Sequence, residues 1–422
     1  MVVAVASGTS VDALDVAAVE LAWTEPGVAD VGVRGHRSVP WPADLRDRVL
    51  ALLPPAQTTV AECCRLDNEI GRVIAGVAAD AVDDLAGGRA DLVVSPGQTV
   101  HHDVVGERCH GTLQLGQPAW IAEATGVAVV SDLRATDVAA GGHGAPLVSL
   151  FDAAWLAGAS AERDVSSAKA GSELQKRPAQ RVAEPTRAAL NLGGIANVTV
   201  VAPGEPVVAF DTGPANCLLD LAAQRVSDGR LTRDDDGRLA AAGRVRPDLL
   251  DRLLEHPYFQ LDPPKSTGRE TFSADLLDTA LSGLPPVDDV DLLTTLSALT
   301  ARTVADALEP YDVGDLVVSG GGVRNPALLA ALRSALPTGS LATSDERGLP
   351  ADAKEVVMWA LLGFLTWHGV PGTAPGHKGA VTGAEATRPL GRISLGRSGA
   401  RPPVPHPVPL ERLTLRPLGA AA

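Results

Sequence analysis

Hydrophobic positions switch between strand-like and helix-like spacing along the chain, and this predicts a mixed α/β protein. The opening residues 2–21 form two short apolar runs around a small polar turn, which is typical of a β-hairpin. The runs that follow are first helical and then strand-like, at 42–53, 60–85, 91–95, 111–115 and 127–133. Strands separated by helices favour a largely buried sheet in this part of the chain.

A second hairpin pattern appears at 188–201, about 185 positions after the first. The two segments are too different to be a sequence repeat, yet each has apolar runs around a glycine-containing turn. The pattern then predicts strands and helices in turn, at 207–210, 216–226, 316–319, 327–336 and 355–367. Two related domains, each opening with a hairpin, are therefore expected.

The composition shifts mark the predicted boundaries. Residues 1–157 form the first domain, and 158–187 lack an apolar period and are expected to be a solvated insertion. Residues 188–394 form the second domain. The segment 395–422 is rich in proline and arginine and is expected to be a loose tail.

Charge and composition exclude several classes of function. The 422 residues carry a formal net charge of −15 and only 3% aromatic residues, which argues against nucleic-acid and anionic-membrane partners. The four cysteines and the histidines lack the spacing of a metal site, so no protein-built metal cluster is expected. The longest apolar run is too short to span a bilayer. A cytoplasmic protein is the resulting expectation.

The turn Ser7-Gly-Thr-Ser-Val-Asp12 is a candidate anion site. Small residues let successive backbone N–H groups approach a phosphate, and the hydroxyls of Thr9 and Ser10 can donate to its oxygens. Asp12 could hold a hydrated Mg²⁺. The alternative is an ordinary hairpin turn, and the same two interpretations apply to the second turn, Asn191-Leu-Gly-Gly-Ile-Ala-Asn197.

Two further candidates follow predicted strands in the second half. Asp211 comes after an apolar run and before a helix, so it is placed to act as a general base or, alternatively, to cap that helix. Three glycines at 320–322 allow close approach of a planar group or phosphate, or they simply form a strand-to-helix turn.

Other polar residues have the chemistry of a sugar-binding site. Gln98, Thr99, Asp132 and Arg134 suit a hydroxyl-rich ligand with a carboxylate, although each could equally be a surface contact. The turn Lys265-Ser-Thr-Gly-Arg-Glu270 could contact a nucleotide or substrate, or be a solvated loop.

Eight blocks, taken in order, resemble the anhydro-N-acetylmuramic acid kinases over nearly the whole chain. They are GTSVDALD, GQTV, TLQLG, DLRATDVAAGGHGAPL, NLGGIAN, DTGPAN, PYF followed by PKSTGRE, and SGGGVRNP. The resemblance implies an α/β fold of two related actin/hexokinase-like domains with a nucleotide and sugar cleft between them. It also implies ATP and Mg²⁺ as cofactors, an anhydro-sugar substrate and a homodimer.

The resemblance assigns roles residue by residue. Asp211 becomes the catalytic base, and Glu355 approaches the sugar together with the weaker candidates Gln98, Thr99, Asp132 and Arg134. The implied nucleotide-binding residues are Gly8, Thr9, Ser10, Val11, Asp12, Ala13, Leu14, Asp15, Gly193, Gly194, Gly320, Gly321, Gly322 and Asn325.

The implied reaction hydrolyses the 1,6-anhydro bridge and phosphorylates O6, as in cell-wall recycling. The chain departs from the family pattern at Ser95-Pro96, Gln117 and Ala13. These departures leave open a kinase for another anhydro-sugar such as levoglucosan. A non-catalytic nucleotide-binding protein of the same superfold is a separate alternative.

Overall fold

The computed structural model describes residues 1–8, 11–53, 56–105, 108–158, 184–336 and 339–416. Residue contacts group them into two compact units, the first built from 1–158 with 353–416 and the second from 184–352. The sequence pattern places the end of the second domain at 394, whereas the contacts place it at 352. Residues 159–183 of the predicted insertion lie outside the described part of the chain.

The first unit begins with the predicted hairpin and continues as alternating strands and helices. Its strands are β1 (Val2–Ala6), β2 (Ala13–Glu25), β3 (Val28–Pro40), β4 (Leu92–Val105), β5 (Arg108–Leu115), β6 (Val129–Ser131), β12 (Arg392–Ser394) and β13 (Arg412–Arg416). Its helices are α1 (Ala43–Leu52), α2 (Val60–Asp84), α3 (Pro118–Thr125), α4 (Ala135–Ala139), α5 (148–158) and α12 (Lys354–Trp367).

The second unit also opens with its predicted hairpin. Its strands are β7 (Thr186–Leu192), β8 (Ile195–Val201), β9 (Val208–Pro214), β10 (Val313–Ser319) and β11 (Ser340–Thr343). Its helices are α6 (Asn216–Val226), α7 (Arg238–Ala242), α8 (Pro247–Leu254), α9 (Ala274–Leu281), α10 (Asp289–Leu308) and α11 (Pro326–Ala335).

The two sheets repeat one strand order. The first sheet contains β3-β2-β1-β4-β6, in which β1, β2 and β3 are antiparallel neighbours and β1, β4 and β6 are parallel ones. The second sheet is β9-β8-β7-β10-β11 with the same directions at every step. The predicted pair of related α/β domains is therefore confirmed by topology.

Each unit buries its own apolar core against its sheet. Valines of β1 pack with the apolar face of α2 in the first unit, and alanine and leucine positions of β7 pack with α6 and α10 in the second. The helix α12 packs on the sheet of the first unit, and Gly363 gives it room against Val94 of β4. Within the described residues, no helix is long and apolar enough to cross a membrane.

Two segments differ from the expectations drawn from sequence. β4 continues through Pro96 and Gly97 to Val105 and pairs with β5 as a ribbon, because Gly97 adopts a φ of +74° where β4 shifts register against β1. The tail is ordered at 412–416, where β13 pairs in parallel with β3. Arg416 anchors that strand by ion pairs with Glu20 and Asp30 at 2.9 and 2.6 Å.

Candidate active site

A buried glutamine, Gln98, forms a hydrogen bond with the backbone of the turn between β1 and β2. The amide nitrogen of Gln98 donates to the carbonyl oxygen of Gly8 at 3.3 Å, and the N–H of Val11 donates to the same oxygen at 3.1 Å. Gln98 is fully buried, and its own Oε1 has no hydrogen-bond partner among the described residues. The predicted substrate ligand Gln98 thus supports the turn through its amide nitrogen.

Side chains of the first turn point in different directions. Those of Val11 and Leu14 are completely buried in the core, so only their backbone groups can face a ligand. The carboxylate of Asp12 is 69% exposed and lies 3.7 Å from the Arg46 guanidinium. Thr9 and Ser10, the predicted hydroxyl donors, lie outside the described residues. Asp12 is therefore the described side chain of this turn that is best placed to meet a cation.

The remaining residues of this predicted motif belong to β2. Ala13 is its first residue and pairs with Pro40 of β3. The Asp15 carboxylate accepts a hydrogen bond of 2.5 Å from the hydroxyl of Ser38, on the same neighbouring strand. The antiparallel pairing of β2 and β3 thereby orients the acid two positions into the strand.

Glu355 stands in the first turn of α12 within a cluster of charged groups. Although its side chain reaches solvent, the surrounding protein desolvates the carboxyl and raises its pKa, and the negative charge of Asp15 acts in the same direction. The Arg134 guanidinium and a hydrogen bond with the Trp359 side chain oppose that rise. The structure thus brings together three residues predicted from sequence, Asp15, Arg134 and Glu355.

Arg134 is fixed on several sides. Its guanidinium donates to the carbonyl oxygen of Gly144 at 2.7 Å and lies 5.1 Å from the ring centre of Trp359. Desolvation lowers the pKa of Arg134, while Glu355 and Asp137 raise it. Asp137 is itself buried and accepts the N–H of Gly144 at 2.7 Å. The guanidinium is therefore presented in one orientation.

A buried ion pair anchors the start of α12. Lys354, the residue before Glu355, places its ammonium 2.6 Å from the carboxylate of Asp152 on α5, and both side chains are at most 3% exposed. Breaking such a pair leaves one buried charge uncompensated, which costs about 3–5 kcal/mol. The position of Glu355 in the first unit is thus tied to a second helix.

Thr99 and Asp132 are held by other neighbours. The hydroxyl of Thr99 accepts a hydrogen bond from Gln114 at 3.3 Å. Asp132 adopts a φ of +55°, lies 3.6 Å from Arg392, and has a pKa raised by desolvation. Among the described residues, no hydrogen bond or ion pair joins either side chain to Glu355, so their predicted role in substrate binding rests on the resemblance.

The turn of the second hairpin is fastened by the helix that follows β9. The N–H groups of Asn216 and Cys217 at the start of α6 donate to the carbonyl oxygens of Gly193 and Gly194, both at 3.0 Å. The Asn216 side chain also donates to Gly193 at 2.8 Å. Because the first amides of α6 are used in this way, they are not free to bind an anion.

Asp211 lies within β9 and is half-buried. The strand continues three residues beyond it, and α6 has Ala215 as its N-cap, so the alternative role of Asp211 as a helix cap is excluded. The backbone N–H of Thr267 donates to its Oδ2 at 2.9 Å. The hydroxyl of Tyr258 donates to the Asp211 backbone oxygen at 2.7 Å. One carboxylate oxygen is therefore held by the protein.

The acid–base property of Asp211 follows from these surroundings. Desolvation raises its pKa to about 6, the Thr267 N–H works against this rise, and the negative charge of Glu270 adds to it. A carboxyl with a pKa near 6 is ionised at neutral pH and is more basic than an ordinary aspartate. At neutral pH, Asp211 is therefore ionised and can accept a proton.

The glycine triad at 320–322 is not uniform. Gly320 has a φ of +85°, and a Cβ there would come within 2.7 Å of Asn191 Oδ1 and 2.9 Å of the Leu192 oxygen. Around Gly321 a Cβ would meet nothing within 4 Å. Gly320 is therefore needed for packing within the unit, and Gly321 is the glycine whose open side leaves room for a ligand.

Asn325, the last predicted nucleotide-binding residue, caps α11. Its Oδ1 accepts the N–H of Leu328 at 3.0 Å, and its side chain is buried. This is an ordinary N-cap contact. The side chain is therefore committed to the helix, and its predicted contact with adenosine stays a prediction.

Asp211 and the turn at Gly194 are contacted by residues that the sequence did not assign to the site: Tyr258 and Thr267 contact Asp211, and Arg269 contacts Gly194. In the sequence, Thr267 and Arg269 belong to a polar turn, and Tyr258 belongs to a block of the family resemblance. They lie 47 to 58 positions from Asp211 in the chain, so a single sequence gives no distance between them. The blocks PYF and PKSTGRE are the sequence signals that point to them.

The described carboxylates suit a metal site that is completed by a ligand rather than one built by the protein alone. No group of three or more His, Cys, Asp or Glu side chains in the described ranges could hold a metal ion. Mg²⁺ in nucleotide sites commonly takes only one or two carboxylates and fills its shell with phosphate oxygens and water. The exposed carboxylate of Asp12 fits such a partial site.

Fold and site together define a two-domain α/β protein with a glycine-containing hairpin turn and an acidic side chain in each unit. The family model described as anhydro-N-acetylmuramic acid kinase matches residues 1–168 and 175–396. The chain belongs to this family.

Individual relatives agree with the family model. The chain is 49% identical to the anhydro-N-acetylmuramic acid kinase of Streptomyces coelicolor, covering 96% of each chain, and 47% identical to that of Streptomyces avermitilis, covering 95% and 96%. Among solved structures it aligns with the ROK hexokinase of Thermus thermophilus at 17% identity and a TM-score of 0.32, covering 86% and 98%. The fold assignment stands on the repeated strand order.

Proposed function

We propose that this protein uses ATP to convert 1,6-anhydro-N-acetylmuramic acid and water into N-acetylmuramic acid 6-phosphate and ADP, a step of cell-wall recycling. Family membership supports the choice of reaction. The observation that carries it is the Asp211 carboxyl, whose pKa is raised to about 6 and whose Oδ2 is held by the Thr267 N–H. That arrangement suits a general base.

In the proposed mechanism Asp211 accepts a proton from the water that attacks C1 of the sugar. The bond between C1 and O6 breaks, and its electron pair moves to O6. O6 then forms a bond to the terminal phosphorus of ATP, and the bond from that phosphorus to the bridging oxygen breaks as ADP leaves. General-base assistance is typically worth about 10² to 10⁴ in rate.

The first unit supplies binding groups in this proposal. The backbone of the β1–β2 turn, fixed by Gln98, receives phosphate oxygens through its N–H groups. Arg134 and Glu355 face the sugar as a matched cation and acid, since a guanidinium suits the lactyl carboxylate and a carboxyl suits hydroxyls. In the second unit, the open side of Gly321 leaves room for the nucleotide, and the turn of Gly193 and Gly194 lies beside it in this proposal.

Asp12 would hold Mg²⁺, which offsets the charge of the phosphates when bound. We further propose, on the resemblance alone, that the protein is a homodimer and works in the cytoplasm. Sedimentation velocity of the purified chain and fractionation of cells test these two statements.

Levoglucosan remains the alternative sugar, because the chain departs from the family pattern at Ser95-Pro96 and Gln117. Arg134 separates the two substrates, since levoglucosan has no carboxylate for a guanidinium to bind. Binding of levoglucosan would therefore gain no ion pair from Arg134. Turnover of both sugars under the same conditions decides between them.

The reaction is tested by turnover in ¹⁸O-enriched water with ATP and 1,6-anhydro-N-acetylmuramic acid. We expect one ¹⁸O at C1 and the phosphate on O6, as read by mass spectrometry. Asp211→Asn should lower kcat by about 10² to 10⁴ while leaving ADP binding unchanged. A phosphorylated sugar with an intact anhydro bridge would contradict the proposal.

A thermal unfolding control separates lost chemistry from lost structure in Asp211→Asn. The pKa of Asp211 is higher in the folded protein than in the unfolded chain, so the folded state is penalised for keeping the charge at neutral pH. Asp211→Asn should therefore unfold at or above the wild-type temperature at pH 7.5, with a smaller difference at pH 5.

A further inference from the structure

The segment 265–270, here called the KSTGRE loop, contacts two separate parts of the second unit. Thr267 donates its N–H to the carboxylate of Asp211, and the backbone N–H of Asp211 donates to the oxygen of Lys265 at 3.1 Å. Two residues after Thr267, the guanidinium of Arg269 lies against Gly194 in the turn between β7 and β8. The loop therefore joins the carboxylate of β9 to the glycine turn.

The position of Arg269 is shown by the space it fills. A Cβ built on Gly194 would stand 3.3 Å from Nε and 3.4 Å from Nη2 of the guanidinium. The carbonyl oxygens of Gly193 and Gly194 already accept N–H groups from α6, so the guanidinium is not required to satisfy them. The guanidinium of Arg269 therefore places a positive charge beside the β7–β8 turn, and its N–H groups remain available to a ligand.

The charge of Arg269 is also uncommitted. Seven arginines of the second unit form ion pairs with aspartates, and Arg269 forms none within the described residues. Its side chain is exposed. The other cation of the loop, Lys265, already has partners. Its ammonium lies 5.0 Å from the ring centre of Tyr258 and donates to the backbone carbonyl oxygen of Tyr258 at 3.5 Å.

The two loop residues that make these contacts are close together along the backbone. Two residues of fully extended chain span at most about 7 Å, so the backbone of Arg269 cannot lie farther than that from the backbone of Thr267, which is bonded to Asp211. The hydroxyl of Thr267 is buried and has no partner among the described residues. An anion between Asp211 and Gly194 would meet donors on the loop side.

We propose that Arg269 is a catalytic residue that binds the terminal phosphoryl group of the nucleotide during transfer. This rests on the proposed function. A planar guanidinium can donate two parallel hydrogen bonds to phosphoryl oxygens, which a lysine cannot. Positive charge fixed beside the transferring group stabilises the charge spread over its oxygens in the transition state, where an arginine supplies about 10³ to 10⁵ in rate in other phosphoryl-transfer enzymes.

The experiment compares Arg269→Ala, Arg269→Lys and the matched control Arg302→Ala. Arg302 is an exposed arginine of the same unit that pairs with Asp306 on α10. We expect Arg269→Ala to lower kcat at least about a hundredfold, Arg269→Lys to recover only part of that loss, and Arg302→Ala to match the wild type. Guanidinium ion at non-denaturing millimolar concentration should restore turnover of Arg269→Ala severalfold, which a merely structural residue would not allow.

Binding of a nucleotide analogue tests the role of Arg269 without the sugar substrate. ADP with Mg²⁺ and aluminium fluoride mimics the transferring phosphoryl group, and we expect it to bind the wild type more tightly than ADP does. Arg269→Ala should lose that gain while binding ADP normally. Equal gains in the two proteins, or kcat of Arg269→Ala equal to that of Arg302→Ala, overturn the proposal.

Failure of the proposed function has a different signature. A wild type that does not turn over the anhydro-sugar contradicts the proposed reaction, and the aluminium fluoride measurement still decides the role of Arg269. Thermal unfolding of each variant confirms that the folded state is being measured. An Arg269→Ala protein that is folded, inactive and not rescued by guanidinium contradicts a direct role for the guanidinium.

Discussion

The two units have the same strand order, but they hold their polar groups by different means. In the first unit, side chains from distant segments do the holding, as with Gln98 on the β1–β2 turn and Arg134 beside Glu355. In the second unit, backbone groups do most of it, as with the Thr267 N–H on Asp211 and the α6 amides on the glycine turn.

This difference indicates which substitutions each unit tolerates. A site held by side chains is sensitive to the identity of those side chains. A site held by backbone N–H groups tolerates most side-chain changes but is sensitive to proline and to substitution of constrained glycines. The comparison can therefore be tested by substitutions that separate backbone from side-chain effects.

The largest effect is expected at Thr267, where proline and alanine give opposite results. Thr267→Pro removes the N–H that donates to Asp211, whereas Thr267→Ala keeps it. A hydrogen bond to a charged group is worth about 1.5–3 kcal/mol, so Thr267→Pro should lower kcat/KM by about 10- to 150-fold, and Thr267→Ala should stay near the wild type. Steady-state kinetics of both variants measures this.

The pH dependence of kcat/KM gives a second test of the Thr267 N–H, because the direction of its shift can be predicted. Asp211 acts as a base only when ionised, and its pKa is about 6, so wild-type kcat/KM should fall about tenfold per unit as pH decreases below 6. The Thr267 N–H lowers that pKa, so its removal should move the fall to higher pH. An unshifted profile in a folded Thr267→Pro protein would show that this N–H does not control the base.

The next effect is on stability and separates two adjacent glycines. Gly320→Ala places a Cβ against Asn191 and Leu192 at a positive φ, so it should lower the free energy of unfolding by about 1–3 kcal/mol. Gly321→Ala has open space and is its matched control. Denaturant unfolding of both proteins checks this.

The nucleotide adds a second measurement on the same pair. If the open side of Gly321 faces adenosine, Gly321→Ala should raise the KM for ATP without changing stability. Equal stability losses in the two variants would contradict the distinction drawn between the two glycines.

The smallest effect is expected from the first unit, at Gln98. Gln98→Leu has a similar volume but leaves the Gly8 oxygen without the amide, so it should cost about 1 kcal/mol and raise the KM for ATP a few-fold. Gln114→Leu, on the β5 side of the ribbon, is the control. A Gln98→Leu enzyme with wild-type KM for ATP would show that the turn does not need this support.

Local elements were predictable because their signals are local. Both hairpins, the helix at 216–226 and the apolar helix that follows Lys354 agree with the spacing of apolar residues. The ribbon of β4 and β5 was missed, since Pro96-Gly97 resembles a loop and only the pairing with β5 shows that the strand continues. The strand β13 was missed for the same reason, because its partner β3 is nearly 400 positions away.

The candidate site was predicted less completely. The sequence predicts Asp211 and the glycine turns as site residues, but it does not predict their surroundings. Desolvation, which raises the pKa of both Asp211 and Glu355, is a property of packing that no motif contains. The contacts of Thr267 and Arg269 likewise exist only because the KSTGRE loop folds back onto β9.

The helix α12 follows the second unit in the chain but packs on the sheet of the first. During synthesis on the ribosome, residues 184–352 emerge complete before 353–416, so the second unit can fold while the first still lacks its last helix and strands. A chain whose synthesis terminates near codon 352 would therefore contain the whole second unit but an incomplete first unit.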